Sequence, residues 1–583
     1  MADIRLSVVF IALVINLINC QVIVDTRLGK VEGIEVKSII QDEKFYSFMG
    51  IPYGKPPLGE LRFKPPQPHE GWTEVLSAKK EPKPCAQLNL PVRPLKRYGF
   101  SGQEDCLKLG IHTSKLPDNE ELKMPVIVFL YNEYFKVSHN STKDFGPDFI
   151  VREDVVFASI NHRIGSLGFL AFEDELLPGN NGLRDVILGL KWIKQNIQKF
   201  GGDPDNITLM GIEGGATLVE ILLNSPKAKG LYNRAVLHSG TIYNSISLPT
   251  KPKEKANALA KTLEKSAVTS ANLISELSHV SPLELVSAEL LSVDADEGRD
   301  TQMASVPFGP VVEPDHPDAI FTGMPEDSPV NIDVPIMIGY NSREGIGMAE
   351  RYLRKPQYLT FAERDFLLIL STRSGFHLEL NSEIYQAAEA EIKDFYFEEG
   401  YVKISKPGEY LTYIADVMTF YPIDYALRRY ANESSAPVYY YLFDYSGELN
   451  LRKNEVLDGA LTMEGTWGAN TGDELCYLFV CKPIRKTYKK VLADEDAEEL
   501  NVIKNMVKLW TNFAKSGNPT PEGSPVTWTP ATPENKECMV ISDELEVKTK
   551  LYDDRIQFWD NFIAKYKAMA GKDGVVRDKK DEL

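Results

Sequence analysis

Histidine is scarce in this chain of 583 residues, which contains only eight. The last of them is His377, so the final third of the chain has no imidazole that could act as a base or bind a metal. Cysteine is rarer still, with six residues, and the closely spaced pair Cys476 and Cys481 has no histidine nearby. Because that spacing is poor for zinc, we predict no metal site, and no motif calls for a cofactor.

Basic residues are outnumbered by acidic ones. The chain has 65 Lys and Arg against 83 Asp and Glu, a formal net charge of -18. Such a charge repels phosphate backbones and anionic headgroups, so we predict no nucleic-acid partner and no electrostatic binding to anionic membranes. Beyond the first twenty residues, no apolar run is long enough to span a membrane.

The N-terminus is typical of a secretory signal peptide, which we assign to residues 1–20. Arg5 supplies the positive charge, an apolar core follows, and Cys20 is the small residue at the expected cleavage point. An uncleaved anchor is the alternative. No span is expected in the mature chain.

The chain ends in a tetrapeptide that a receptor uses to retrieve proteins to the endoplasmic reticulum. It consists of Lys580, Asp581, Glu582 and Leu583. Together the two ends predict a protein of the endoplasmic reticulum lumen, with the KDEL receptor as a partner. Three glycosylation sequons agree with that location, at Asn140, Asn206 and Asn432; Asn206 is the one most expected to be buried and unmodified.

Five cysteines remain after removal of the signal peptide, in a compartment that permits disulfides. Cys85 and Cys106 would close a loop of about twenty residues, a plausible cross-link. Cys476 and Cys481 are a weaker candidate pair, and Cys538 completes the set. With an odd number, at least one thiol stays free or pairs elsewhere.

Continuous apolar runs separated by a helical pattern indicate the fold class. Residues 124–131 and 154–161 have the length and composition of strands buried on both faces of a parallel sheet. Residues 183–200 have helical periodicity, and residues 22–36 alternate as in a hairpin. This alternation predicts an α/β protein with a large, mostly parallel central sheet flanked by helices.

One segment predicts a special turn. "GIEGGAT", residues 211–217, lies between an apolar strand and the start of a helix. A strand, a Gly-x-x-x-Gly turn and a helix describe a nucleophile elbow, whose central residue is a serine. Here the central residue is Glu213, between Gly211 and Gly215.

Long ordered blocks of the chain resemble the type B carboxylesterases of the α/β-hydrolase family, which include the cholinesterases. They include "FMGIPYGKPPLGELRFKPPQPHEGW" and "GQEDCLKL", and insect esterases look most similar in style. The resemblance implies one hydrolase domain over residues 21–570, a tail over 571–583, and a disulfide between Cys85 and Cys106.

The resemblance also implies positions for a catalytic triad. The nucleophile position is Glu213, and the histidine position, in "GANTGDEL", is Thr471. The acid position, in "GYNSREG", keeps a carboxylate as Glu344, with Ser239 as a small neighbour. Threonine cannot act as a base near neutral pH, and we expect Glu344 to remain for a hydrogen bond to the elbow region.

The glycine-rich segment that supplies backbone donors to an oxyanion is replaced by Asn132, Glu133 and Tyr134. We expect these larger side chains to fill the space that glycine leaves free. His238 is near the core strands, and we expect a satisfied core histidine rather than a relocated base.

These replacements lead to the prediction that the chain is not an enzyme. Its expected role is to bind or sequester a small apolar or cationic ligand, or to hold a lumenal protein client. The pocket is either plugged or an acidic cavity around Glu213, Glu344 and Glu133 that favours a metal ion, an amine or a basic side chain of a partner. The alternatives are a residual or unconventional ester hydrolase that uses Glu213, and an enzyme of unrelated chemistry.

Overall fold

The computed structural model describes residues 22–89, 99–118, 121–138, 141–266, 268–294, 296–373, 375–570 and 576–578. The predicted signal peptide, Asn140 and the C-terminal tetrapeptide lie outside these ranges, so the predictions on them stay predictions.

A large mixed sheet forms the centre of the protein. The strands are β1 (Val22–Thr26), β2 (Gly29–Lys37), β3 (Lys44–Pro52), β4 (Leu76–Ser77), β5 (Gln87–Asn89), β6 (Gly99–Ser101), β7 (Lys108–Thr113), β8 (Met124–Asn132), β9 (Val156–Ile160), β10 (Gly202–Glu213), β11 (Arg234–His238), β12 (Ile336–Asn341), β13 (Phe376–Leu378), β14 (Val438–Phe443), β15 (Cys538–Ile541), β16 (Leu545–Lys548) and β17 (Val576–Asp578). The sheet order is β1-β2-β3-β7-β9-β8-β10-β11-β12-β14-β15-β16, with β4 beside β2.

The middle of the sheet is parallel, from β9 through β8, β10, β11, β12 and β14 to β15. Both ends of the sheet are antiparallel. Residues of β8 alternate between two apolar clusters: Val128 and Leu130 pack on one face, while Ile127 and Phe129 pack on the other. The predicted apolar runs are therefore strands covered on both faces, and the predicted α/β class is confirmed.

Helices cover both faces of the sheet. They are α1 (Asp148–Arg152), α2 (Gly165–Phe169), α3 (Asn181–Asn196), α4 (Gly214–Asn224), α5 (Pro252–Thr262), α6 (Ser270–Ser278), α7 (Pro282–Ala288), α8 (Glu297–Thr301), α9 (Gly345–Met348), α10 (Glu350–Arg354), α11 (Leu359–Arg364), α12 (Glu383–Tyr396), α13 (Pro407–Ala415), α14 (Tyr421–Glu433), α15 (Leu451–Leu457), α16 (Leu475–Leu478), α17 (Arg485–Val491), α18 (Glu498–Ser516) and α19 (Asp553–Ala570). Within the described ranges, no helix is both long and apolar enough to cross a membrane.

Two disulfides cross-link the part of the chain that the structure describes. Cys85 is bonded to Cys106, as predicted, and the weaker candidate pair Cys476 and Cys481 is bonded as well. Cys538 is a free thiol buried in β15.

Two of the predicted glycosylation sites can be placed. Asn206 is half-buried on β10, where its side-chain amide donates to the carbonyl of Lys515 and accepts from Arg234. Asn432 is exposed near the end of α14. The contacts of Asn206 agree with the expectation that it stays unmodified, because a glycan would have to displace them.

We predict that replacing Cys85 and Cys106 together by alanine lowers the free energy of unfolding by about 3 kcal/mol, because the bridge closes a long loop in the unfolded chain. Urea unfolding would measure the change. Cys538→Ala is the control, since it removes a buried cysteine without removing a cross-link. Equal losses in both variants would contradict a cross-linking effect.

Candidate active site

The turn between β10 and α4 has the geometry of a nucleophile elbow. Glu213 ends the strand with φ 51° and ψ -118°, and the helix begins at Gly214. A Cβ atom at Gly215 would lie 2.1 Å from the carbonyl oxygen of Leu130, so only glycine fits there. The spacing of the glycines thus predicted the turn correctly, and the turn holds a glutamate in a backbone conformation costly for a residue with a side chain.

The Glu213 carboxyl is buried, with 7% of the residue exposed. Its Oε1 accepts a hydrogen bond of 3.2 Å from Arg452 Nη1, whereas Oε2 has no partner among the described residues. Burial and, after it, the nearby charge of Glu133 raise the pKa of Glu213 to about 8, although the charge of Arg452 acts in the opposite direction. Near pH 7 this group is therefore mainly a neutral carboxylic acid that can donate a hydrogen bond.

Arg452, on α15, is a site residue that no sequence motif predicts. Its Nη2 donates to the hydroxyl of Tyr131 and lies 3.6 Å from Glu133 Oε2. The guanidinium lies over the Tyr131 ring, 5.5 Å from the ring centre. The acidic-cavity alternative predicts that a cation from outside binds between these acids. In the structure, Arg452 of the chain itself lies beside Glu133 and Glu213.

Glu344 lies behind the elbow and is fully engaged. Its Oε1 accepts from Ser239 Oγ at 2.6 Å and from the backbone N–H of Asn341 at 2.7 Å. Thr471 donates its hydroxyl to Oε2. Burial raises the pKa of Glu344 to about 7. The structure thus brings together Glu344, Ser239 and Thr471, which lie far apart along the chain and which the resemblance assigns to one site.

His238 lies in the core beneath this group. Trp510 Nε1 donates to His238 Nε2 at 3.1 Å, and an indole N–H can only donate, so Nε2 carries no proton. The other nitrogen, Nδ1, lies 2.8 Å from the Tyr441 hydroxyl and 3.1 Å from Glu474 Oε1. Both ring nitrogens are therefore occupied, as expected of a core histidine.

The segment from Asn132 to Tyr134 does not fill the site as expected. Asn132 turns into the core, where its Oδ1 accepts from the backbone N–H of Phe135 and its Nδ2 lies 3.0 Å from His162 Nε2. Tyr134 and Phe135 keep positive φ angles of 48° and 59° without glycine. Because the amide of Asn132 stabilises this turn, only Glu133 and Tyr134 reach the cavity wall.

A cavity of about 500 Å³ opens beside Glu213. The expectation of a plugged pocket is therefore wrong. The aromatic wall of the cavity consists of Tyr131, Tyr134 and Phe145, and Thr471 and Arg452 also face the cavity. The remaining charged residues of its lining are the acids Glu133, Asp144, Glu350 and Glu455.

We predict that Glu213→Gln stabilises the protein more at about pH 8.5 than at about pH 5, by on the order of 4 kcal/mol. In the folded protein Glu213 keeps its proton up to about pH 8, whereas its ordinary pKa is 4.5. As the pH rises between these values, only the unfolded chain releases the proton, so the wild type loses stability; the amide has no such loss. Urea unfolding at both pH values tests this, with Glu544→Gln, at an exposed position, as the control. A difference that does not change with pH would contradict the shifted pKa.

Comparison with known proteins identifies the family. A sequence model described as "Carboxylesterase family" matches residues 21–559. Esterase FE4 of Myzus persicae is 31% identical over 493 residues, covering 84% of this chain and 83% of that protein. Juvenile hormone esterase of Tribolium castaneum is 28% identical, covering 92% of this chain and 93% of its own. Carboxylesterase 1E of Mus musculus is 29% identical, covering 93% and 94%.

The prediction that the chain is not an enzyme is contradicted by these comparisons. The similar proteins bear the names of esterases, and this family membership favours an enzyme. The prediction rested on the residue types at the positions that resemble the family's triad. A buried neutral acid such as Glu213 can, however, donate a hydrogen bond to a carbonyl oxygen. The chain matches the family model over nearly its whole length, and it has the central parallel sheet and the elbow turn. We conclude that this chain belongs to the carboxylesterase family and has its α/β-hydrolase fold.

Proposed function

We propose that the cavity binds a small neutral molecule with a carbonyl oxygen, such as a carboxylic ester, and that Glu213 donates a hydrogen bond to that oxygen. The observation that carries this proposal is the buried Oε2 atom, which has no hydrogen-bond partner among the described residues. A buried polar atom without a partner is costly, and a ligand acceptor would remove that cost.

The charges around Glu213 favour a neutral ligand beside this residue. Arg452 already pairs with Glu133 and covers the face of Tyr131, where an external cation would otherwise bind. Protonated Glu213 adds no charge near pH 7. The aromatic wall and a volume of about 500 Å³ suit a small, partly apolar molecule.

Ester hydrolysis is the second candidate function, and the esterase names of the relatives favour it. A carboxylic acid kept neutral by its surroundings can donate to the negative oxygen that develops when water attacks an ester. Glu213 would then act as the donor that backbone N–H groups provide in other esterases. This is the unconventional hydrolase considered from the sequence, with Glu213 as an acid rather than a nucleophile.

We further propose that this binding takes place in the lumen of the endoplasmic reticulum. The N-terminal apolar segment, the terminal tetrapeptide Lys580–Leu583 and the two disulfides support this location. The KDEL receptor would be its retrieval partner. A lumenal protein client remains a proposal that only an interaction measurement can test.

The binding proposal predicts that 1-acetonaphthone, a neutral aromatic ketone, binds about tenfold more weakly at pH 9.5 than at pH 6.5. Above its pKa of about 8, Glu213 loses the proton that it donates. Calorimetric titration measures both affinities. Glu213→Gln should bind equally at both pH values, because its amide donates throughout, and 1-ethylnaphthalene, which has no acceptor, should show no pH dependence. The same pH response for both compounds would refute the role of Glu213.

The hydrolysis proposal predicts slow turnover of 1-naphthyl acetate that Glu213→Leu reduces by about a hundredfold, the effect of losing one oxyanion donor. The turnover should decrease above about pH 8 and should resist a fluorescent organophosphonate, since the elbow has no serine to label. Turnover that the organophosphonate abolishes would come from a contaminating serine esterase. Turnover unchanged in Glu213→Leu would exclude this mechanism.

A further inference from the structure

The disulfide between Cys476 and Cys481 forms part of the wall of the cavity that contains Glu213. Both cysteines line the volume of about 500 Å³, together with Pro483 and Phe145. The other disulfide, Cys85–Cys106, borders a void of only about 10 Å³. A small molecule that enters the large cavity therefore comes next to the Cys476–Cys481 loop, whose half-cystines are 3% and 2% exposed, against 3% and 0% for Cys85 and Cys106.

The two bridges also differ in the loops that they close. The half-cystines are 5 positions apart in Cys476–Cys481 and 21 apart in Cys85–Cys106. A shorter loop loses less entropy in the unfolded chain, so its bridge stabilises the fold less. Because Cys476 and Cys481 line the larger cavity, theirs is the bridge that a small molecule can approach in the folded protein, and the shorter loop means that opening it costs the fold less stability.

Opening this bridge would affect two walls of the cavity. Val480, inside the disulfide loop, exchanges backbone hydrogen bonds of 2.8 and 3.1 Å with Gly146, next to Phe145. The loop also follows directly after the segment that carries Thr471. The hydroxyl of Tyr488 ties the two ends of the loop together, since it accepts from the backbone N–H of Cys481 and donates to the carbonyl of Cys476.

We propose that Cys476–Cys481 is a thiol-exchange site, at which a small-molecule thiol in the cavity reduces the bridge and changes ligand binding. The thiolate attacks one sulfur, a mixed disulfide forms, and the other cysteine leaves as a thiolate that takes a proton from water. A second thiol then attacks the mixed disulfide. Two thiols are oxidised to one small disulfide, and the protein bridge is reduced to two thiols.

The charges of the cavity specify the kind of thiol. Besides Glu213, its lining contains one arginine, Arg452, and four acids, Glu133, Asp144, Glu350 and Glu455. Glu133 pairs with Arg452 and Glu350 pairs with Arg354, so the acids still outnumber the arginines around the cavity. An anionic thiol is repelled by this lining, whereas a thiol that carries an ammonium group is attracted. The preferred reagent is therefore a small cationic thiol.

Timed alkylation of the full chain tests the exchange. The protein is treated with cysteamine or with 2-mercaptoethanesulfonate, quenched with iodoacetamide and analysed by peptide mass spectrometry, and each rate is divided by that of the same thiol on cystine. We expect Cys476 and Cys481 to be alkylated at least about tenfold faster than Cys85 and Cys106, and cysteamine to be preferred at this bridge only. Equal rates at both bridges, or no preference between the two thiols, would overturn the proposal.

Two double variants test how the acidic residues affect the preference between thiols and how the bridge affects ligand binding. Asp144→Asn with Glu455→Gln should reduce the preference for cysteamine without changing the rate at Cys85–Cys106. Cys476→Ser with Cys481→Ser imitates the reduced state and should bind 1-acetonaphthone several-fold more weakly. The alkylation result does not depend on that ligand, so the exchange site and the proposed function can fail separately. Binding unchanged after proven reduction would refute the effect on the ligand.

Discussion

The burial of one carboxyl group at a strained turn determines the character of the site. The backbone at Glu213 is fixed by the close approach of Gly215 to β8, so the side chain must point into the protein away from bulk water. A buried carboxylate without adequate partners is expensive, and the protein limits that cost in two ways. Glu213 keeps its proton up to about pH 8, and Arg452 supplies one charged hydrogen bond.

Arg452 connects this acid with the rest of the cavity wall. It holds Glu133 and Tyr131 on one side and Glu213 on the other, and 28% of its side chain remains exposed. Near Glu213 the wall therefore contains the ion pair of Arg452 and Glu133 beside the aromatic rings of Tyr131 and Tyr134. Asp144, Glu350 and Glu455 are the other charged residues of the lining.

Sequence reasoning was reliable where local rules decide the structure. The glycines at 211 and 215 predicted the elbow, and the apolar run at 124–131 predicted a strand covered on both faces. It failed where distant side chains meet. Arg452 is 239 positions from Glu213, on a helix with ordinary composition. The open cavity depends on Asn132 turning inward to bond with Phe135, a rotamer that no sequence pattern reveals.

The error about enzymatic activity has a different origin. The residue type at a position that resembles the family's triad does not determine function, because the reactivity of a side chain depends on its surroundings. A glutamate in water is an anion near pH 7, which would oppose an oxyanion; the same residue buried beside Arg452 is an acid with a free hydrogen-bond position. One such donor contributes about 3 kcal/mol to a transition state, far less than a complete triad. The geometry therefore supports the proposed recognition of a carbonyl more directly than the proposed hydrolysis, which we expect to be slow.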